Sequence, residues 1–401
     1  VEDQTHILQS LRRALHSMRD QWEMYFVESG KEALEIFQMQ KTAGKPIDVL
    51  VSDVRMPEMN GAELLQEVME RYPQTIRFVL SGHSDQEMIF KTTHSAHQFF
   101  NKPCELGVLK AVIQRALQLR QLLSSDVLEG LAHSLGKIPC LPTLYLQVME
   151  EIQKPNWDPA KLGAIIAQDL AMTAKILQLV NSAFFSLPRT ISSPTEAVAY
   201  LGGNIVKALI LTSNVFEKSQ GNKAHVGLMN VLWEHSLKTA HLSRAIAEFL
   251  SEPLRAREDC FVAGMLHDVG KVLMLQLPGY FPTIPNLSET RSVSWWVVEM
   301  ERFRTSHAEV GAYLLGLWGL SDPLVEALAF HHQPQTSLSR KFTPLAAVYL
   351  ANQLSHFSSH DLADVEKHLD MVFLANVGLD GRLPGIIEVS RKFLEKEVAK
   401  P

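Results

Sequence analysis

Cysteine is scarce in this chain, and the three present, Cys104, Cys140 and Cys260, stand far apart with no Cys-x-x-Cys pair. Such spacing argues against a disulfide framework and fits a reducing cytoplasm. Long apolar runs are also missing: none reaches the roughly 18 residues a spanning helix needs. The stretch 346–354 is short and broken by Asn352 and Gln353, so no membrane span is expected. Neither sign of charge dominates, with 38 Lys and Arg against 44 Asp and Glu mixed along the chain. That balance leaves no electrostatic footprint for nucleic acid or an anionic membrane, and with no basic recognition helix, DNA binding is not expected. There is no internal repeat or low-complexity tract. What is there is an ordinary globular composition, 46% hydrophobic and 20% charged over 401 residues. That length suits two or three domains at roughly 150 residues each.

Residues 1 to about 104 alternate strand-like and helix-like segments, the pattern of a parallel sheet built from βα units. Five strands and five helices are predicted, in the doubly wound, flavodoxin-like α/β layout. Strands are expected at the start of the chain, over 22–27 and 48–51, and over 76–80 and 98–101. Helices are expected over 6–18, 30–40, 61–71, 84–96 and 105–123. The last helix carries Leu109, Val112, Ala116, Leu119 and Leu123 at spacings of three and four. An apolar stripe of this kind suits pairing with a twin in a homodimer, or docking on the rest of the chain. Ser124-Ser125-Asp126 then breaks the pattern, and only helical periodicity follows. The predicted organisation is an α/β domain over 1–122 and an all-α domain over 123–401.

An apolar run over 47–51 leads to Asp53, and Met56-Pro57 then ends regular structure. Ser81 and Lys102 follow two later strands in the same manner, and Glu2 and Asp3 add an acidic pair. Taken alone, Asp53 would be a turn former. Acids, hydroxyl and lysine together at the carboxyl edge of a parallel sheet suit phosphoryl transfer to a carboxylate. Asp53 is the nucleophile in that reading, and Glu2, Asp3 and Asp53 hold a hard divalent cation. Lys102 and Ser81 contact the phosphoryl oxygens.

Ser52-Asp53-Val54-Arg55-Met56-Pro57, Asn101-Lys102-Pro103 and Gly61 resemble the receiver domain of bacterial response regulators, over residues 1 to about 120. The resemblance implies a sensor histidine kinase as phosphoryl donor and Mg²⁺ on Glu2, Asp3, Asp53 and the Arg55 carbonyl. Glu2 stands where Asp is commoner. Phe99, three before Lys102, falls where receivers carry an aromatic that swings inward on activation, and it equally suits plain core packing. The family's first strand precedes the acidic pair, where only Val1 stands, so the sequence is expected to begin inside that strand.

The helical half contains His235, His267-Asp268, His307 and His331-His332. Neighbours on one helix point about 100° apart, so His267 and Asp268 can share a site only at a junction between helices. Imidazoles with a carboxylate suit zinc, iron, manganese or nickel. An ion so held lowers the pKa of bound water for attack on a phosphoester. Taken singly, each histidine is better explained as a hydrogen-bonded residue on a partly buried helix.

His267-Asp268-Val269-Gly270-Lys271 resembles the HD superfamily of metal-dependent phosphohydrolases. The stretches 165–173, 179–183 and 191–202 are closest to its HDOD branch, with a core over about 130–340 and a helical extension beyond. HDOD domains look like regulatory or scaffolding modules, which implies output through a protein partner. The rival reading is a receiver-gated phosphodiesterase of the HD-GYP kind acting on cyclic di-GMP. His307, His331 and His332 match its further ligands, with Lys271 as an electrostatic aid. Asn352 falls where the last acid of that pattern belongs, and 333–336 lacks a Gly-Tyr-Pro signature. Both features disfavour cyclic dinucleotide turnover. Trp233, Trp295-Trp296 and Trp318, without a basic groove, are expected to pack helices. The sequence as a whole points to a cytoplasmic response regulator controlled by phosphorylation.

Overall fold

A computed structural model describes residues 1–82, 92, 95–120, 123, 131, 142–152, 154, 156–182, 185, 187, 189–212, 223–281, 283–285, 293–357 and 361–398. Among them β1 (Val49–Asp53), β2 (Ile76–Ser81) and β3 (Gln98–Asn101) form a parallel sheet in that order. Val51 faces Phe78 across the first pair, and Val79 faces Phe99 across the second. β2 is buried at every position, as a central strand covered on both faces must be. Helices α1 (Thr5–Leu15), α2 (Gly30–Thr42), α3 (Gly61–Arg71) and α4 (Leu106–Arg120) surround this sheet. An Asn60–Glu63 capping box starts α3, satisfying two orphan donors of its first turn. Only glycine fits at position 61, where a Cβ would lie 2.0 Å from the Asp53 carbonyl oxygen.

The fold class is as the sequence suggests, but the strand inventory differs. Residues 22–27 form no strand. The Val1 amine donates to Val51 O at 2.7 Å, the Asp53 amide donates to Val1 O at 2.9 Å, and the Glu2 amide reaches Val27 O at 3.1 Å. Past that bridge a cavity of about 1030 Å³ opens between Met24–Phe26 and Val49–Leu50, floored by Leu11 and Ile113. The helix expected over 84–96 falls largely outside the described residues. Phe99 is fully buried in the core, so the packing reading holds for this conformation.

Among the described residues of the second half, all regular structure is helical. It comprises α5 (Pro142–Ile152), α6 (Pro159–Ile166), α7 (Leu170–Val180), α8 (Pro194–Thr212, kinked at Gly202) and α9 (Lys223–Phe249). Then come α10 (Leu254–Leu266), α11 (Val269–Met274), α12 (Trp295–Phe303), α13 (His307–Leu317) and α14 (Asp322–Phe330). α15 (Pro344–Ser355), α16 (Met371–Asn376) and α17 (Leu383–Val398) complete it. Buried Asp169 caps α7 through the Met172 amide at 2.8 Å and accepts the Trp233 indole N–H at 3.2 Å. α10 and α15 both pack on the long α9. No described helix is long and apolar enough to cross a membrane.

The stripe on α4 docks on the helical half. Arg115 pairs with Asp322 at 2.7 Å and donates to Leu320 O at 3.0 Å, while Leu119 packs on Gly316. Beside it the Gln178 amide donates to Ala96 O and His97 O at 3.4 and 3.3 Å. Two cations are buried next to this contact. The Arg77 guanidinium donates to the carbonyls of Ser95 and Thr75 at 2.6 and 2.7 Å, and burial pulls it down to about 10. Lys175 lies 4.2 Å from the Trp318 ring centre, and burial pulls its ammonium down to about 7.

From about pH 7 up to the unfolded lysine value near 10.4, the unfolded chain holds a proton on Lys175 that the folded chain has shed, so this residue makes stability rise with pH. Lys175→Met is expected to stabilise the chain at pH 7 by on the order of 2 kcal/mol and to flatten that rise. Urea unfolding of both proteins at pH 7 and pH 9 measures it, and equal pH slopes would refute it.

Candidate functional site

Asp53 ends β1, and its carboxylate gathers with those of Glu2 and Asp3, one oxygen of each lying within 4.8 Å of the others. Lys102, just past β3, places Nζ 2.6 Å from Glu2 Oε2 and 2.8 Å from Asp53 Oδ2. The Lys102 amide is fixed by Ser81 O at 2.8 Å. Burial pushes the Glu2 carboxyl up, with Lys102 resisting the shift. Burial also pulls on the Lys102 ammonium, but the hydrogen bonds to Asp53 and Glu2 outweigh it and its pKa ends raised. Ser81 Oγ, Glu2 Oε1 and Asp3 Oδ1 are buried without a hydrogen-bond partner. Three converging carboxylates with spare lone pairs fit a hard divalent cation. Arg55 follows on the next loop and, with Asp3, Pro57 and Asn60, lines a cleft of about 530 Å³.

The histidines come from four places. His235 lies within α9, His267-Asp268 occupies the junction of α10 and α11, His307 opens α13, and His331-His332 follows α14. The junction that the sequence demands for His267 and Asp268 is therefore present. The Asp268 carboxylate divides the cluster. Its Oδ2 faces His235 Nε2 at 3.6 Å and His267 Nε2 at 3.5 Å, with Lys271 Nζ at 2.6 Å. Its Oδ1 faces His307 Nε2 at 3.2 Å and His331 Nε2 at 3.8 Å, and His332 Nε2 lies 2.9 Å from His307 Nε2. Two ligand groups thus share one carboxylate: His235, His267 and Asp268, and Asp268, His307, His331 and His332.

Tautomers follow from the far side of each ring. His267 Nδ1 meets Gly264 O at 2.7 Å and His331 Nδ1 meets Leu328 O at 2.8 Å. A carbonyl only accepts, so Nδ1 carries the hydrogen and Nε2 presents its lone pair inward. His331 Nε2 is buried without a hydrogen-bond partner. Burial holds His267 below the ordinary imidazole range, His331 and His332 well below it, and His235 down at about 3. Neutral imidazoles around a carboxylate are the donor set that zinc, iron, manganese or nickel takes. Asn352 lies buried on α15 with its Oδ1 lacking a hydrogen-bond partner. Gly270 is required here, because a Cβ would stand 1.9 Å from His307 O.

Sequence reasoning missed Glu299. Its Oε2 accepts from His307 Nδ1 at 2.6 Å and from the His307 amide at 2.9 Å, and its Oε1 accepts from Tyr280. Burial pulls the His307 imidazole down, but Glu299 outweighs it and the pKa is raised. A lone acid after Trp295-Trp296-Val297-Val298 was the available signal, though its eight-residue distance from His307 hid the contact. Trp233 and Trp318 pack in the core as expected, but Trp295 and Trp296 lie at the rim of this cluster: Trp296 stacks on His332 at 5.8 Å and Trp295 lies 5.2 Å from Lys271 Nζ. His356, also not foreseen, stacks on His235 at 5.2 Å.

A model of the response regulator receiver domain matches residues 1–114, and a model of the HDOD domain matches residues 138–334. An uncharacterized protein of Treponema pallidum is 23% identical over 254 residues, 62% of this chain and 48% of that protein. The hydrogenase transcriptional regulatory protein HoxA of Cupriavidus necator is 32% identical over 124 residues, 30% of this chain and 24% of its own length. The chain therefore spans about half or less of these curated relatives. The crystal structure of the MmoQ response regulator from Methylococcus capsulatus aligns with 63% of this chain and 98% of that one, at a TM-score of 0.48 and 20% identity.

Glu299→Gln keeps the shape of the side chain but removes the charge that favours protonated His307. The His307 pKa is expected to fall, and an NMR titration of its Hε1 resonance reads the change. An unshifted titration would mean that Glu299 does not set this proton.

Proposed function

We propose that this chain, whose residues 1–114 match the receiver domain and 138–334 the HDOD domain, is a response regulator in which phosphorylation of Asp53 controls the helical output half. Receiver domains of response regulators are phosphorylated by histidine kinases. An Asp53 oxygen attacks phosphorus, an acyl phosphate forms, and the bond from phosphorus to the donor histidine breaks. Mg²⁺ on Glu2, Asp3, Asp53 and the Arg55 carbonyl supplies charge neutralisation when bound. Lys102 exchanges its Asp53 and Glu2 contacts for a phosphoryl oxygen, and Ser81 Oγ donates to another. The observation that carries this reading is the convergence of Lys102, Asp53 and Glu2 beside the unpartnered Ser81 and Asp3 oxygens. The HDOD half then alters its engagement of a protein partner or a second copy, in the cytoplasm.

A second reading, a metal-dependent phosphohydrolase, is favoured by one observation: the His331 lone pair aimed at the shared Asp268 without a partner. A bound zinc, iron, manganese or nickel ion would supply an acidified water. His307, His331, His332 and Asp268 would hold it, with His235 and His267 offering a second position. Asn352 weakens that second position, because a neutral amide replaces an acid, and so weighs against turnover of a cyclic dinucleotide.

Asp53→Asn is expected to abolish incorporation of labelled phosphate from a phosphorylated kinase or a small acyl phosphate. Label retained on that variant would place the acceptor elsewhere. Elemental mass spectrometry of the chain, purified without chelator or affinity-tag metal, is expected to find transition metal. Loss of that metal is expected in the His307→Ala, His331→Ala double variant. No metal in the wild type would leave the histidines as a structural cluster and remove the hydrolase reading.

A further inference from the structure

Helices α13 and α14 form a hairpin whose two ends meet different parts of the molecule. At its closed end the turn between Leu317 and Asp322 is gripped by the receiver. Arg115 of α4 holds Asp322 and Leu320 O, Leu119 packs on Gly316, and the Gln98 amide abuts Gly319. At its open end stand His307, the first residue of α13, and His331-His332, directly after α14. These three histidines, with Asp268 itself, make up one of the two ligand groups. An 11-residue α13 spans roughly 16 Å at 1.5 Å per residue, so a rigid pair of helices separates the two ends.

The receiver side of the grip leads straight to the acid pocket. β3 begins at Gln98, which touches the hairpin turn, and ends at Asn101, one residue before Lys102. Lys102 holds both Asp53 and Glu2. A ligand on Asp53 that draws the ammonium off its present partners acts one residue from the end of the strand that touches the turn. The other end has little slack, because α11 is packed so closely on α13 that position 270 admits no Cβ beside His307 O. Glu299 fixes the His307 ring from behind.

We propose that the α13–α14 hairpin couples the receiver to the histidine cluster, so that occupancy of Asp53 changes the affinity of Asp268, His307, His331 and His332 for metal. This rests on the reading of Asp53 as phosphoacceptor and of the histidines as a metal-holding set. Linkage makes the coupling reciprocal: metal on the histidines changes binding at Asp53 by the same factor. The hairpin has no residue at Asp53, while its open end carries His307, one of the metal-holding set. It is the two-ended element whose position both sites bias.

The test uses the full chain in excess Mg²⁺, with beryllofluoride as a phosphoryl mimic whose occupancy is followed by fluorine NMR. Zinc affinity is measured by competition with a chromophoric chelator, and amide hydrogen exchange is followed over residues 307–332. Bound beryllofluoride is expected to shift the zinc dissociation constant by about 5- to 150-fold and to change exchange in the hairpin. Arg115→Ala should still bind beryllofluoride but lose most of the zinc shift. Asp322→Asn, at a surface position that cannot unfold the core, should act in the same direction.

Beryllofluoride bound with zinc affinity and exchange both unchanged would overturn the proposal, as would a full zinc shift in both variants. Zinc absent in either state while exchange responds would remove the metal reading and support the hairpin as the transmitting element. Failure of beryllofluoride to bind would remove the receiver reading and the proposal with it.

Discussion

A carboxylate taken out of water has to be met by positive charge or by donors, and Asp268 is met from two sides. Burial pushes the acid up, but His267 and Lys271 at one oxygen and His307 at the other hold it well below the usual carboxylate range. His307 in turn is balanced from behind by Glu299. Around this one charge the helical half has to assemble. α10 and α11 meet at it, α13 starts beside it, and the segment after α14 returns to it. The close fit at Gly270 and the capping box at the head of α13 follow from the same requirement.

The order of chemistry-bearing residues in the receiver was legible in the sequence because strand ends carry them one at a time. Asp53, Ser81 and Lys102 each follow an apolar run, and the parallel sheet then sets them side by side. The helix junction at His267 and Asp268 was legible for a related reason: adjacent residues cannot face one point within a helix. Pairing was not legible. Residues 22–27 read as a strand by composition, yet the structure assigns them no strand. Glu299 and His356 escaped for a third reason, since contacts between separate helices leave no fixed spacing in the sequence.

The junction between the halves also depended on information that periodicity does not hold. The stripe on α4 predicted a docking face without saying on what. The structure seats it on the turn of the α13–α14 hairpin, with Gln178 of α7 bonding to the segment before β3. Arg77 and Lys175 sit beside this contact, both with weakened hold on their protons. Buried cations make an interface expensive to form and therefore easy to perturb.

This arrangement also bears on how the protein is made. The receiver's docking face is finished once α4 is translated near residue 120, but the turn that covers it emerges only near residue 320. Synthesis proceeds at roughly 5–20 residues per second, so the face waits on the order of 10–40 s for its partner. During that wait Leu119 and the flank of β3 stand open on the ribosome-bound chain. Translation speed between the two elements then sets how long the nascent protein is open to wrong contacts.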